Sequence, residues 1–174
     1  MNTTHFSSRP VVKIQMTTLD KVLEVLGAAA IIALWLYVII SFSKLPEKVP
    51  MHYNFNGQPD RLGKKEALFL LPAITTALYA LLTIVNRSPH RFNYLKKITP
   101  ENAVSQYTQA TRMIRYIKLA LIILFFMIAF QTQQFAKGNE GTLAGWLFLA
   151  ALGLVIFPVI YFFAKSLGKK EHRV

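Results

Sequence analysis

The sequence predicts an all-α membrane protein: a four-helix transmembrane bundle with both termini in the cytoplasm and a structured extracytoplasmic loop between helices one and two. Three observations carry this reading. Hydrophobic residues make up 53% of the 174 residues, more than a soluble domain of this length carries. Four apolar runs of about 19–23 residues can each cross a hydrocarbon core of about 30 Å as a helix. The basic residues that flank those runs are shared unevenly between the two sides of the membrane.

The runs follow in order. Residues 1–21 form a cytoplasmic segment, of which Met1–Arg9 reads as a disordered tail. No short apolar stretch with a small-residue cleavage site precedes Val22, so the first run is expected to stay as an anchor. The spans are placed at Val22–Phe42, Ala67–Val85, Ile117–Phe135 and Thr142–Ala164, with an outer loop at 43–66, a cytoplasmic loop at 86–116 and a cytoplasmic tail at 165–174. Unpaired backbone groups are costly in lipid, which makes each span a helix. Fourteen of the 20 Lys and Arg residues fall in the N-terminal segment, the 86–118 stretch and the tail, and the remaining six lie on the other side. That bias puts both ends inside.

Local signals refine the helices. Thr99-Pro100-Glu101 is a helix start: Thr can cap, Pro fits the first helical position, and Glu favours the positive end of the dipole. No breaker follows until about Gly138, so helix three should begin in the cytoplasm near Pro100 and run into the membrane. Arg112, Arg115 and Lys118 recur every third residue and are expected at headgroup level, snorkelling to lipid phosphates, with a functional basic patch as the alternative. Glu24 lies one turn from Lys21 and reads as an interfacial acid in preference to a proton relay. Pro72 falls in the first turns of helix two and Pro158 deep in helix four, where it should kink the helix. Ala29 and Ala33, Ala73 and Ala77, and Gly141 and Gly145 have the small-xxx-small spacing of close helix packing.

Composition also excludes chemistry. The chain has no cysteine, hence no disulfide and no thiolate metal site. Its net charge of +12 follows from bilayer flanking, and no basic stretch carries a base-stacking aromatic motif, so nucleic acid is not an expected partner. Membrane lipids are expected partners, and an oligomer is open.

The segment from Leu45 to Lys65 is the one outer stretch dense in residues capable of specific chemistry. Pro46, Pro50 and Pro59 restrict its backbone, and Gly57 permits a turn after Asn54-Phe55-Asn56. Met51, Tyr53 and Phe55 alternate with His52, Asn54 and Asn56, the period of an extended hairpin arm. His52, Asn54 and Asn56 would then share a face, and Asp60, returning after the turn, would meet His52. Three readings stay open. In the first, Asp60 pins the turn and His52 is merely hydrogen-bonded. In the second, His52, Asn54, Asn56, Asp60 and Lys65 bind a peptide, a headgroup or a small ligand. In the third, His52 and Asp60 contribute to a metal or catalytic site. A metal normally wants three or four ligands, and the outward candidates beyond that pair are only Glu47, Glu66 and Glu140. His5, His90 and His172 fall on the cytoplasmic side, and no Ser or Cys nucleophile lies at the centre of the motif. No catalytic residue is assigned and no cofactor is expected.

The pattern Leu45-Pro46-x-x-Val49-Pro50-x-His52-Tyr53-Asn54-x-x-Gly57-x-Pro59-Asp60-Arg61-x-Gly63-x-Lys65 resembles a bacterial membrane domain of unknown function found at the N-terminus of SdpI-like immunity and signalling proteins. A second stretch, Phe92 to Ala103, also resembles that family, although many members carry Pro where this chain has Leu95. The resemblance spans roughly Val22–Phe135 and marks Pro46, Pro50, His52, Asn54, Gly57, Pro59, Asp60 and Lys65 as its motif positions. It implies a multi-pass protein of the bacterial inner membrane with an outward motif loop, in a family that protects against a secreted peptide toxin and sequesters a transcriptional regulator. Those proteins continue into a further multi-span domain, whereas this chain adds one span and a ten-residue tail. The function expected is non-enzymatic binding or sensing, in immunity or signal transduction, through an outer loop that contacts a ligand, peptide or protein. The alternative is a membrane-embedded enzyme or transporter-like subunit, for which Thr75, Thr76, Gln131 and Gln134 would have to meet inside the bundle.

Overall fold

The computed structural model describes residues 9–54, 58–139 and 144–168. The chain order is α1 (Thr18–Phe42), β1 (Lys48–Tyr53), β2 (Pro59–Lys64), a 3₁₀ turn (Lys65–Phe69), α2 (Leu70–Val85), a 3₁₀ turn (Pro89–Arg91), α3 (Pro100–Ala136) and α4 (Ala144–Gly168). The helices Thr18–Phe42, Lys65–Val85 and Pro100–Ala136 are long and apolar enough to cross a membrane, and Leu152–Lys165 is a shorter apolar stretch within α4. The protein is thus a mostly helical, multi-pass membrane protein with a small hairpin between its first two helices.

The helix starts obey local chemistry. α1 begins four residues before the apolar run because Thr17 and Asp20 form a capping box, in which the Asp20 carboxylate accepts from the Thr17 N–H (2.9 Å) and the Thr17 hydroxyl accepts from the Asp20 N–H (3.3 Å). α3 starts at Pro100 as its sequence requires, and Asn102 Oδ1 takes the Thr99 N–H at 3.0 Å. Its 37 residues make a rod of about 55 Å. α4 continues helically through Pro158, which withholds one backbone donor from the carbonyl a turn earlier.

The ends of α1, α2 and α3 remote from the hairpin are joined by charge. Arg112 Nε lies 3.0 Å from Asp20 Oδ1, and Arg115 reaches both Asp20 (3.6 Å) and Glu24 (3.2 Å). Lys118 Nζ donates to Glu24 Oε2 (2.6 Å) and Thr83 Oγ1 (2.9 Å) and sits 4.2 Å from the centre of the Tyr79 ring. The Tyr79 hydroxyl donates to Glu24 Oε2 at 2.8 Å. Asp20, Arg115 and Lys118 are only 1%, 8% and 3% exposed. The cations are thus held by α1 carboxylates in place of the expected snorkelling to lipid phosphate, and Glu24 is turned toward α3 and Tyr79. The three-residue spacing does keep the cations on one side of α3, but that side faces α1, where Asp20 and Glu24 stand one turn apart.

Small residues act elsewhere than the spacing motifs indicate. Ala29, Ala33, Ala73 and Ala77 are turned outward or only partly covered. The close approach is at Gly27, where an added Cβ would lie 2.8 Å from Cε2 of Tyr79. Gly27 therefore admits the ring that bridges α1 to the ion cluster. Gly141, like the Lys137–Gly141 turn beyond Asn139, lies outside the described residues. Two apolar clusters flank the charge layer. The outer one joins Leu34, Val38, Leu45, Val49, Leu68 and Ala129; the inner one joins Ile98, Ala103 and Tyr107 with Val12 and Ile14 of the N-terminal segment.

Glu24→Gln is expected to destabilise the bundle by roughly 3 kcal/mol, because it leaves the Lys118 ammonium buried without its carboxylate. Adding Lys118→Met should restore most of that loss. Unfolding in a fixed detergent, run as a double-mutant cycle, measures the coupling, and strictly additive losses would refute it.

Candidate functional site

The outer motif folds as an antiparallel two-stranded ribbon, with Lys48 opposite Lys64, Val49 opposite Gly63, Pro50 opposite Leu62 and His52 opposite Arg61. Its prolines sit where a ribbon tolerates them: Pro59 opens β2, and Pro50 lies in a strand with only one neighbour. The register shifts on either side of His52, which breaks the simple alternation that the sequence displays. Gly63 gives room to Met51, whose Cγ would lie 2.5 Å from any Cβ there.

The base of the ribbon is embedded. Val49 is fully buried in the outer apolar cluster with Leu45 and Leu68. The Tyr53 ring packs on Phe135 with centroids 5.5 Å apart, and its hydroxyl donates to Thr132 Oγ1 at 3.1 Å. Burial raises the Tyr53 phenol above its ordinary pKa, with the Thr132 bond a smaller opposing effect, so it remains a donor. Next to this contact, Gln133 is buried and donates to Ser41 Oγ, tying the outer end of α3 to α1.

The tip is open. His52 Nδ1 lies 2.7 Å from Asp60 Oδ1, with side chains 68% and 44% exposed. The meeting of His52 and Asp60 across the turn is as the alternation predicts. Asn54 is spent on the turn itself: its N–H donates to the Gln58 carbonyl (2.9 Å) and its Oδ1 accepts the Gln58 N–H (3.0 Å). Lys65 stands at the base, 3.9 Å from Glu47 and 5.1 Å from the Phe42 ring centre, and its N–H donates to the Glu47 carbonyl at 3.1 Å. Lys65 is thus remote in register from His52. Pro46 is an exposed residue of the entry loop. Asn56 and Gly57, predicted as a site residue and a turn former, lie outside the described residues, as do His5, Glu140 and His172. Among the described residues no third His, Asp or Glu joins His52 and Asp60 in a group able to hold a metal ion.

The basic residues of the ribbon count in the sequence only toward orientation, and the strand register brings them together. Lys48 and Lys64 face each other across the strands, both exposed, with Arg61 nearer the tip. Like charges directly opposite cost stability in a sheet, and the signal for them was the pairing register rather than composition. The polar groups named for an embedded site do not converge. Thr75 and Thr76 donate to the Leu71 and Pro72 carbonyls of their own helix (both 2.7 Å), and Gln134 accepts from Asn139 (2.9 Å). Gln131 is buried, and its Nε2 has no partner among the described residues.

The match to known proteins centres on this hairpin. Residues 29–76, from within α1 through the ribbon into α2, match the domain of unknown function DUF1648. The second stretch, Phe92 to Ala103, lies outside that match. Over 161 residues the chain is 30% identical to an uncharacterized protein of Archaeoglobus fulgidus, covering 85% of this chain and 87% of that one. The chain is therefore a membrane protein that carries a DUF1648 domain and belongs to the same family as that archaeal protein. No solved structure matches it.

Tyr53→Phe should cost about 1 kcal/mol of hairpin docking by losing the Thr132 bond, and Tyr53→Ala about 3 kcal/mol by also losing the ring contact. Amide exchange of residues 48–64 should accelerate in that order while the helices stay protected. Equal exchange in all three proteins would mean that Tyr53 does not dock the ribbon.

Proposed function

We propose that the protein is a non-enzymatic binding or sensing module of the plasma membrane, with four crossings and both termini inside, whose outward hairpin recognises an extracytoplasmic peptide or protein. One observation carries this reading: the ribbon is fixed at its base by Val49 and Tyr53 yet leaves the His52–Asp60 pair exposed at its tip. A structural turn would have no need to keep such a pair in water. A preorganised display loses less entropy on binding, which favours recognition.

Lys48, Arg61 and Lys64 give the ribbon a cationic edge, so the favoured ligand carries carboxylates, on acidic side chains or at a peptide C-terminus. His52 and Asp60 supply the remaining donor and acceptor, and Asn54 and Lys65 contribute by holding the turn and the base. Asn56, adjoining the tip in sequence, completes the set expected from the motif. The resemblance to SdpI-like proteins favours a role in immunity or signal transduction. A bacterial inner-membrane location follows the same resemblance, and the archaeal relative widens the family beyond bacteria. Basic residues at the inner ends support the orientation. Leu152–Lys165 is apolar and supports α4 as the fourth crossing.

The test is co-purification from native membranes, wild type beside a His52→Ala/Asp60→Ala protein of matched thermal stability. A partner held by wild type and lost by the variant is the expected result. The same partners at the same yield in both would sink the assignment of the tip.

A further inference from the structure

A cavity of about 370 Å³ lies at the opposite end of the protein from the hairpin, enclosed by the 91–95 segment, the second to fourth turns of α3 and the end of α4. That volume is within the range of small-ligand sites, roughly 300–1,000 Å³. Its lining is divided. Met113, Ile114, Phe162 and Phe163 make an apolar wall, whereas Arg91 and Gln109 are among its polar groups. Arg91 is exposed, and its guanidinium has no hydrogen bond or ion pair among the described residues. Gln109 Nε2 donates to Ser105 Oγ at 3.1 Å, but its Oε1 is buried and has no donor among the described residues. A buried acceptor without a donor is costly, and a ligand that brings one removes the cost.

Depth identifies the ligand. Gln109 and Met113 lie about two and a half and one and a half turns before Lys118 on α3, so the cavity sits next to the charge layer on the side of the α3 N-terminus, near the level where the helices enter lipid. Taking the chain as a membrane protein, we propose that this cavity binds the headgroup end of an anionic phospholipid bearing a headgroup hydroxyl. Arg91 takes the phosphate, the headgroup hydroxyl donates to Gln109 Oε1, and the first methylenes of a chain lie against Ile114, Phe162 and Phe163. The rest of the chains remain in the bilayer. The neighbouring Lys96 and Lys97 add a field that favours a net negative headgroup.

The segment that shapes the cavity is well held. Tyr94 donates to the Pro89 carbonyl at 2.8 Å and its ring packs at a tilt against Tyr107 with centroids 5.5 Å apart, while Arg9 Nη1 donates to the Phe92 carbonyl at 2.5 Å. Burial raises the Tyr94 phenol well above its ordinary value, with the nearby Tyr107 adding to the effect, which keeps it a donor.

Native mass spectrometry of the full chain, titrated with phosphatidylglycerol and with phosphatidylmethanol of identical chains, separates the contributions. The two lipids carry the same charge and differ in the headgroup hydroxyl. Wild type should retain phosphatidylglycerol roughly tenfold better, the size of one buried hydrogen bond. Gln109→Leu should erase that preference, and Arg91→Gln should weaken both lipids roughly tenfold through the lost charged contact. A general loss of fold would lower both lipids together in Gln109→Leu and could not erase the preference alone. Free glycerol phosphate at equal concentration should not displace the lipid. Equal retention of the two lipids by wild type, unchanged binding in both variants, or displacement by glycerol phosphate would each overturn the proposal.

Discussion

Two carboxylates on α1 face three cations on α3 at the end of the bundle away from the hairpin, and the arrangement of the bundle follows from that encounter. Charges removed from water must be paired within hydrogen-bond reach, since the penalty for an orphaned ion is several kcal/mol. Asp20 and Glu24 are one turn apart, as are Arg112, Arg115 and Lys118 in succession, so each acid finds cations at a single register of the two helices. Burying apolar faces cannot set that register within lipid, because lipid is as apolar as the helices themselves. α2 is bound into the same layer by Tyr79 and Thr83, and Gly27 keeps α1 small enough for the Tyr79 ring to reach Glu24.

The hairpin depends on this register although it lies at the far end of α3. Ala129, Thr132, Gln133 and Phe135 are among the α3 residues that meet α1 and the ribbon at the hairpin end. They follow Lys118 by three to five turns on an unbroken helix, so fixing the inner layer fixes their height and direction. Val49 and Tyr53 then have a prepared surface, and the ribbon gains the packing partner without which a lone hairpin is only marginally stable.

How much of this was legible in the sequence depended on whether a feature is local. Three membrane-length apolar helices, the start of α3 at Thr99-Pro100 and the approach of Asp60 to His52 are consequences of near neighbours, and they read correctly, whereas the fourth run yields only a shorter apolar stretch within α4. The second strand was implied only by the return of Asp60, because Pro59-Asp60-Arg61-Leu62-Gly63 has weak strand propensity and is held by its partner. The start of α1 was readable too: Thr17-x-x-Asp20 before an apolar run is a capping box. The charge layer was not, because a cation stripe on one helix has the same sequence whether it faces phosphate or an acid on another helix. Asp20 and Glu24 were the available clue, and their spacing of four matched the side of α3 that carries the stripe. The division of labour within the motif was hidden for a similar reason. Asn54 and Lys65 are polar residues inside a dense pattern, but their partners, Gln58 and Glu47, show that one closes the turn and the other steadies the base.

The charge layer also limits how the two ends of the molecule can communicate. Sliding α3 along α1 by one turn would move it about 5.4 Å and separate every ion pair at once. Such a shift is too costly for binding at an exposed hairpin to drive. A change in tilt is cheaper, because the pairs lie in one layer that can act as a pivot. The outer arm of that lever carries Phe135 and the hairpin, and the inner arm carries Tyr107, whose hydroxyl holds the Pro10 carbonyl at 3.0 Å. The cavity between Arg91 and Phe162 opens beside the inner arm. In the proposed reading, a partner on the hairpin and a lipid in the cavity therefore act on one rigid helix about a shared fulcrum. Coupling between two sites that never touch would require both to favour the same tilt of α3.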